Sequence, residues 1–364
     1  MTKFSISTLL ILSLFSGAVA AMPSPYSFSQ EQQLTSNISG AIAERFARGT
    51  QAVISRDSEP DIHYYLQIEN PENPCVVISP GRAEGYLKYQ EVVFDLTNNG
   101  FNVAIVDHRG QGLSEREQEE RHRGYVQSFD HYVEDLQLVL EQAIAPNCQG
   151  PLFLLGHSMG GTIASLYGQK YPERFQAIAL SAPMFGIDTG GIPDWLATTM
   201  VGLGSGLNSV FSDKAWYFFG HGPYQQKPFA ENELMHSEIR YQIFKDTWQQ
   251  HPKAQLGGVT FAWLNAAIDA MDNALNNISQ FKAPVLILQA EQDTVVDNQA
   301  QQVFCEKLAA LNKTSCVQDG PVVIKGARHE ILFESDDMRQ EGLSTILDFF
   351  NDYLSTEIQQ DLDE

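Results

Sequence analysis

Long uninterrupted apolar runs, internal repeats and low-complexity blocks are missing from this 364-residue chain, and basic residues are scarce. Lysine and arginine number 23 against 45 aspartates and glutamates, a formal charge of -22. So acidic a surface argues against nucleic acid as a partner, because phosphate binding needs a basic patch. It also works against long residence on anionic membranes. No pair of histidines has metal-ligand spacing with a third partner, so metal catalysis is not expected, and neither is a nucleotide or other cofactor. Cysteine is limited to four residues, Cys75, Cys148, Cys305 and Cys316. What remains is an ordinary globular composition, 43% hydrophobic, long enough for one large domain with an insertion.

The first twenty residues read as a secretory signal. Lys3 supplies the positive end, Phe4 to Phe15 is apolar with interspersed serines, and Ala18-Val19-Ala20 offers a small-residue cleavage site before Ala21. The apolar stretch is marginal for a bilayer span, which takes about 20 residues. Export to the periplasm or the medium is therefore expected. An uncleaved N-terminal anchor is the alternative. No cysteine stands at the processing site, which argues against a lipoprotein.

Beyond the leader, short apolar runs alternate with helical patterns. Residues 51–55 and 62–68 read as early antiparallel strands. Strands follow at 75–79, 102–107, 152–156 and 177–181, separated by helices at 89–98, 130–144 and 160–171. The alternation stops at Ala182-Pro183 and resumes with a strand at 285–289, a helix at 297–311, a strand at 322–325 and a last helix at 339–354. This pattern predicts a mostly parallel sheet with helices on both faces. The mixed-sign run Glu115 to Arg123 reads as a solvated loop.

Three side chains carry chemistry. Gly156-His157-Ser158-Met159-Gly160-Gly161 lies between a strand and a helix, the context a nucleophile elbow requires. Two glycines let strand and helix pass close to Ser158, and the helix N-terminus favours negative charge there. Leu286 to Asp293 is a strand running into an acidic loop, and Val322 to His329 is a strand running into a histidine. Both put a functional group at the C-terminal end of a parallel strand, where open α/β sheets bind ligands. His329 can take the serine's proton near neutral pH, and Asp293 can orient the imidazole. Asp297 lies four residues on and could also reach the histidine, although Asp297-Asn298 looks more like a helix N-cap. His157, beside the nucleophile, is expected to point into packing. His108, His221, His236 and His251 are expected to be surface or satisfied polar residues.

The chain resembles the α/β-hydrolases of the monoglyceride lipase and lysophospholipase group, most of all the bacterial lysophospholipase L-two type. The resemblance rests on Ser79-Pro80-Gly81-Arg82-Ala83-Glu84, Asp107 to Gly112, His157 to Gly161, Ala182 to Ile187, Val295 to Asn298, Lys325-Gly326-Ala327 and His329 to Glu334. It implies an eight-stranded, mostly parallel sheet with an inserted helical cap. The order Ser158, Asp293, His329 is the one this fold demands. The resemblance also implies an oxyanion hole made by the backbone N–H groups of Arg82 and Met159. The implied substrate is a lipid with one acyl chain, a lysophospholipid, met through transient contact with a membrane surface. Monoglyceride lipases carry His-Gly where this chain has Pro80-Gly81, which weakens transfer of their substrate.

On that fold the strands that begin near Cys75 and Cys148 are parallel neighbours, so these two cysteines are expected to pair. Cys305 and Cys316, close in sequence, form the other pair. The expected division is a leader over 1–20, a hydrolase core over 21–183 and 281–364, and a cap over 184–280. All four tryptophans lie in the cap interval. Trp195, Trp216 and Phe219 are candidates for gripping an acyl chain, while most of the cap's aromatics are expected to pack a small core of its own. Gly202 to Gly206 would let the cap flex. The Arg82 side chain could meet a phosphate, or could pair with Glu84 or an acid of the cap.

Overall fold

The computed structural model describes residues 25–311 and 316–363, so the expected leader lies outside the described residues. Eight strands form one sheet: β1 (Thr50–Arg56), β2 (Glu59–Gln67), β3 (Cys75–Ser79), β4 (Asn102–Val106), β5 (Leu152–His157), β6 (Ala177–Ser181), β7 (Val285–Ala290) and β8 (Val322–Ile324). Their spatial order is β1-β2-β4-β3-β5-β6-β7-β8. β1 and β2 are antiparallel, as are β2 and β4; every other pair is parallel. The local reason is legible. β3, β4 and β6 are buried at every position, which only strands covered on both faces can be. β1 alternates between exposed and half-buried residues, as an edge strand does.

The helices are α1 (Glu31–Asn37), α2 (Ala41–Ala47), α3 (Gln90–Asn98), α4 (Asp130–Val139), α5 (Met159–Lys170), α6 (Asp194–Phe211), α7 (Glu238–Gln250), α8 (Phe261–Asn276), α9 (Asn298–Ala310) and α10 (Asp336–Asp363). Successive strand residues point to opposite faces, and the core divides accordingly. Val76, Ile78, Phe153 and Leu155 pack under α3 and α10. Val77, Leu154, Leu180 and Ile287 pack under α4, α5 and α9. The helix expected at 130–144 is α-helical to Val139 and continues as a wider π turn over Leu140–Ile144.

Between β6 and β7 lie α6, α7 and α8. The aromatics of this interval do not build a separate core. Trp263 joins the cluster on one sheet face and Trp248 the cluster on the other. The glycine-rich stretch has a packing role at one of its positions. It lies inside α6, where a Cβ on Gly204 would overlap the ring of Phe261 on α8. Glycine there permits close helix packing. The charged run 115–123 is not simply solvated either. Arg116 and Arg121 donate to the carbonyl of Lys253, and Arg123 donates to that of Ala215.

A buried ionic cluster fixes α7 to the rest of the chain. Arg240 donates to both Glu91 carboxylate oxygens, at 3.0 Å from Nε and 2.9 Å from Nη2, and to Asp336 at 2.8 Å. Arg339 meets Asp95 at 2.7 Å. Burial alone would disfavour charge on Glu91, but Arg339 and Arg240 hold its carboxyl below the usual range.

Cys75 pairs with Cys148 and Cys305 with Cys316, with Cα separations of 6.0 and 5.4 Å. The first closes a loop with a sequence separation of 73 residues, the second one of 11. Constraint of the unfolded chain grows with loop length, so the two are unequal. Replacing Cys75 and Cys148 by alanine is expected to cost about 2–4 kcal/mol. The same change at Cys305 and Cys316 should cost less. Urea denaturation of both double variants checks the order.

Candidate active site

The elbow is built by close approach. A Cβ on Gly160 would overlap the Ser79 carbonyl of β3, and one on Gly156 would come within 2.6 Å of the Gly160 carbonyl. With those Cβ atoms absent, β5 turns directly into α5. Ser158 sits at the apex with φ 51° and ψ -120°. A non-glycine residue there costs roughly 1–3 kcal/mol, which the surrounding packing must offset. In return the hydroxyl projects from the turn at the N-terminus of α5.

β8 ends at Ile324, and the loop after it brings His329 over that hydroxyl. The Ser158 hydroxyl donates to His329 Nε2 at 2.8 Å, and His329 Nδ1–H donates to Asp293 Oδ2 at 2.8 Å. The other Asp293 oxygen accepts the N–H groups of Val295 and Val296 at 2.8 and 3.1 Å. Burial would raise the Asp293 pKa, but the hydrogen bond and charge of His329, with those two N–H groups, hold it below the usual carboxylate range. Ser158 and His329 are only 8% and 4% exposed. The three side chains singled out in the sequence therefore meet.

Asp297 does not join them. Its side chain accepts the Gln299 N–H at 2.8 Å and caps α9.

The two expected oxyanion donors stand on the loop after β3 (Arg82) and at the first residue of α5 (Met159). Among the described residues neither the Arg82 nor the Met159 N–H has an acceptor, while their neighbours do: Gly81 N–H donates to Glu84 at 2.7 Å and Ala83 N–H to Gln111 at 2.7 Å. The Arg82 side chain does not form the ion pair with Glu84 or with an acid of the 184–280 interval. It donates to the carbonyls of Gly257 and Gly258 at 2.8 Å each, and its guanidinium lies 5.1 Å from the Trp263 ring centroid. Burial lowers its pKa to about 10, which leaves it charged at neutral pH. Trp195, Trp216 and Phe219 are 71%, 38% and 66% exposed. Any grip they have on an acyl chain is at the outer surface, not in an enclosed slot.

Sequence reasoning missed a buried charged network behind the site. Glu84 accepts from Lys88 at 2.6 Å, from Tyr89 at 2.7 Å and from His157 Nδ1 at 3.2 Å. Lys88 also meets Glu330 at 2.7 Å. All five residues are nearly or wholly buried. Glu84 lies in the loop after β3 and Lys88 in the short helical turn Tyr86–Tyr89 that follows it, four residues on. Nothing local indicated that the pair would be buried. His157 therefore faces carboxylate, not apolar packing.

A strained serine on a strand–helix elbow, with an acid-oriented histidine over it at the C-terminal edge of a parallel sheet, defines a serine hydrolase of the α/β type. The model of the family described as serine aminopeptidase, S33, matches residues 70–336, and the chain belongs to that family. It is 42% identical over 277 residues to lysophospholipase L2 of Escherichia coli, covering 76% of this chain and 80% of that one. It is 25% identical over 276 residues to rat monoglyceride lipase, covering 73% and 84%. The fold superposes with a TM-score of 0.63 on a soluble variant of monoglyceride lipase from Saccharomyces cerevisiae, at 17% identity over 84% of this chain and 95% of that one.

The two candidate acids separate by mutation. Asp293→Asn is expected to lower turnover by about 10⁴, the cost of losing the imidazole-orienting carboxylate. Asp297→Asn should keep turnover within a few-fold and change only stability. Steady-state kinetics on a nitrophenyl ester reads both. Equal losses would overturn the assignment.

Proposed function

We propose that the chain hydrolyses the acyl ester of lysophospholipids, releasing a fatty acid and a glycerophosphodiester. It is a carboxylic-ester hydrolase in this reading, and the observation that carries it is the pair of 2.8 Å contacts linking Ser158, His329 and Asp293. Ser158 Oγ attacks the ester carbonyl while its proton passes to His329 Nε2. The negative oxygen of the tetrahedral intermediate is received by the N–H groups of Arg82 and Met159. Collapse expels the glycerol oxygen, which takes the proton from His329 and leaves an acyl-serine. Water, deprotonated by His329, attacks that ester; the bond to Ser158 Oγ breaks as His329 returns the proton to it, and the fatty acid departs.

A hydrolase core over 21–183 and 281–364 carries this machinery, and a cap over 184–280 covers it. The cap has a feature suited to lipid. Trp195, Leu203, Leu207 and Phe211 recur at spacings of eight, four and four along α6, and all are exposed. That is one helical face, without a charged residue after Asp194. Such a face supports transient contact with a lipid surface, where a single-chain substrate would be met. Among the described residues no helix is long and apolar enough to cross a membrane. The two disulfides suggest an oxidising compartment, in keeping with export by a signal peptide over residues 1–20.

One observation favours a second reading. The Arg82 guanidinium is committed to two backbone carbonyls, which leaves it poorly placed for a phosphate. An uncharged monoacylglycerol, or a general carboxylic ester, needs no such cation.

Turnover measured on lysophosphatidylcholine, lysophosphatidylethanolamine, monoacylglycerol and short nitrophenyl esters separates the readings. Preference for the lysophospholipids is expected, and preference for only the short esters would demote the lipid assignment. Ser158→Ala should abolish turnover and fluorophosphonate labelling while leaving the fold intact. Labelling of the wild type excludes a silent binding scaffold.

Replacing Leu203, Leu207 and Phe211 together by serine should lower turnover on vesicle-borne lysophospholipid at least several-fold. A water-soluble acetate ester should be cleaved as before. Equal effects on both substrates would remove α6 from the lipid contact.

A further inference from the structure

The buried network behind the catalytic residues has a charge imbalance that one side chain can correct. Glu84 and Glu330 bring two carboxylates, and Lys88 brings one ammonium. With a neutral His157 the cluster would hold an uncompensated negative charge away from water, which is costly. The hydrogen bonding of His157 leads to the same place. Its Nδ1 lies 3.2 Å from a Glu84 carboxylate oxygen and its Nε2 lies 3.4 Å from the His329 carbonyl oxygen. Both partners only accept. A neutral imidazole has one donor and could satisfy one of them; the imidazolium has two.

We propose that His157 is a cationic positioning residue, an imidazolium that ties the oxyanion loop to the backbone of the catalytic histidine. The inference rests on the serine-hydrolase reading and adds a requirement to it. Each contact holds one part of the machinery. Glu84 grips the Gly81 N–H at 2.7 Å, which fixes the peptide preceding the Arg82 donor. His157 Nδ1–H donates to that carboxylate from the residue beside the nucleophile. Its Nε2–H donates to the carbonyl of His329 itself. The donor, the nucleophile and the base are thus referenced to one ring. Only the charged form makes both bonds.

The groups facing His157 come from three segments. Glu84 and Lys88 lie on the loop and turn after β3, with Tyr89 bonded to Glu84 at 2.7 Å. His329 and Glu330 lie on the loop after β8, with Asp293 behind His329. On its own strand the neighbour is Ser158. Phe333 and Phe244 cover Lys88, at 4.3 and 4.8 Å from its ammonium. Burial opposes charge on His157, but the charge and hydrogen bond of Glu84 outweigh it and hold its pKa above the ordinary histidine value. Lys88 and His157 likewise overcome burial and hold the Glu84 carboxyl well below its usual range. A histidine with a raised pKa contributes fully below its unfolded value of about 6.5. That contribution is lost as pH rises through the folded value. The alkaline side of the activity profile is therefore where the device fails.

Nitrogen NMR of the full chain with ¹⁵N-labelled imidazoles tests the charge directly, with His157→Gln used to assign the signals. At pH 7.5 both ring nitrogens of His157 are expected to carry protons; a neutral ring at that pH overturns the proposal. The functional arm uses Glu84→Gln and a nitrophenyl acetate substrate. Loss of the carboxylate charge should lower kcat about tenfold or more, with KM within about twofold. It should also move the alkaline limb of the pH profile to lower pH. A variant that melts earlier but keeps the wild-type pH profile would make Glu84 merely structural and overturn the coupling. Ser158→Ala separates the two readings. It should lose all turnover with the His157 signals unchanged. A wild type without esterase activity would sink the proposed function, leaving the spectrum to judge the charge.

Discussion

The approach of Gly160 to the Ser79 carbonyl is the constraint from which the site follows. Helix α5 must start close against β3 if the serine is to stand at the sheet's edge, and no side chain fits in that gap. The same closeness puts Ser158 at φ 51°. Such a backbone persists only when the surroundings over-determine it. Here the surroundings are a sheet buried on both faces, with β5 bonded to β3 on one side and β6 on the other. Strain at one residue is offset by the packing of whole strands, and the hydroxyl is fixed before any substrate arrives. Little reorganisation is then left for the chemical step, which is how positioned dipoles lower a barrier.

Buried charge forms the second layer of support, and it falls in two places. Around Glu84 and Lys88 it braces the loop after β3 against the loop of His329. Around Glu91, Asp95, Arg240 and Arg339 it joins α7 to α3 and α10. Neither cluster is an economical source of stability, because desolvating several ions offsets much of their attraction. What an ion lattice provides is geometry: each carboxylate has few acceptable positions, so the segments it links cannot slide. Apolar packing of the same volume would tolerate small shifts, and a shift of about 1 Å in a catalytic loop can cost 10²-fold in rate.

The division between what the sequence disclosed and what it hid follows the range of the interactions. The elbow was legible because its glycines, its serine and its flanking strand and helix are contiguous. Asp293 and His329 were legible because both end short apolar runs, and chain order then fixed their roles. The Cys75–Cys148 pair followed once β3 and β5 were neighbours. Side-chain partners across the fold were not legible. The Arg82 guanidinium meets the carbonyls of Gly257 and Gly258, groups with no sequence signature. The partners of His157 lie 73 and 172 residues away, out of range of any local pattern. The cap's tryptophans suggested a core of their own, but Trp248 and Trp263 complete the two faces of the sheet instead. Composition located the aromatics; only tertiary contact decided which cluster each would enter.

These placements bear on how an acidic protein can work at a lipid surface. A formal charge of -22 repels anionic headgroups, and the repulsion acts over about a Debye length, roughly 10 Å at moderate salt. The α6 face carries no charge after Asp194, so its apolar stripe is a part of the surface that can approach. Burying a handful of large side chains at about 25 cal/mol per Å² gives enough attraction for a brief encounter. The surrounding negative charge opposes a lasting one. Short residence suits the proposed reaction, in which a fatty acid product would have to leave and the next substrate would lie elsewhere on the surface. α7 is held by Arg240 and α8 packs on α5, contacts that do not involve the exposed side chains of α6. On the proposed reading docking draws on α6 and catalysis on the segments after β5, β7 and β8, so weakening the first need not loosen the second.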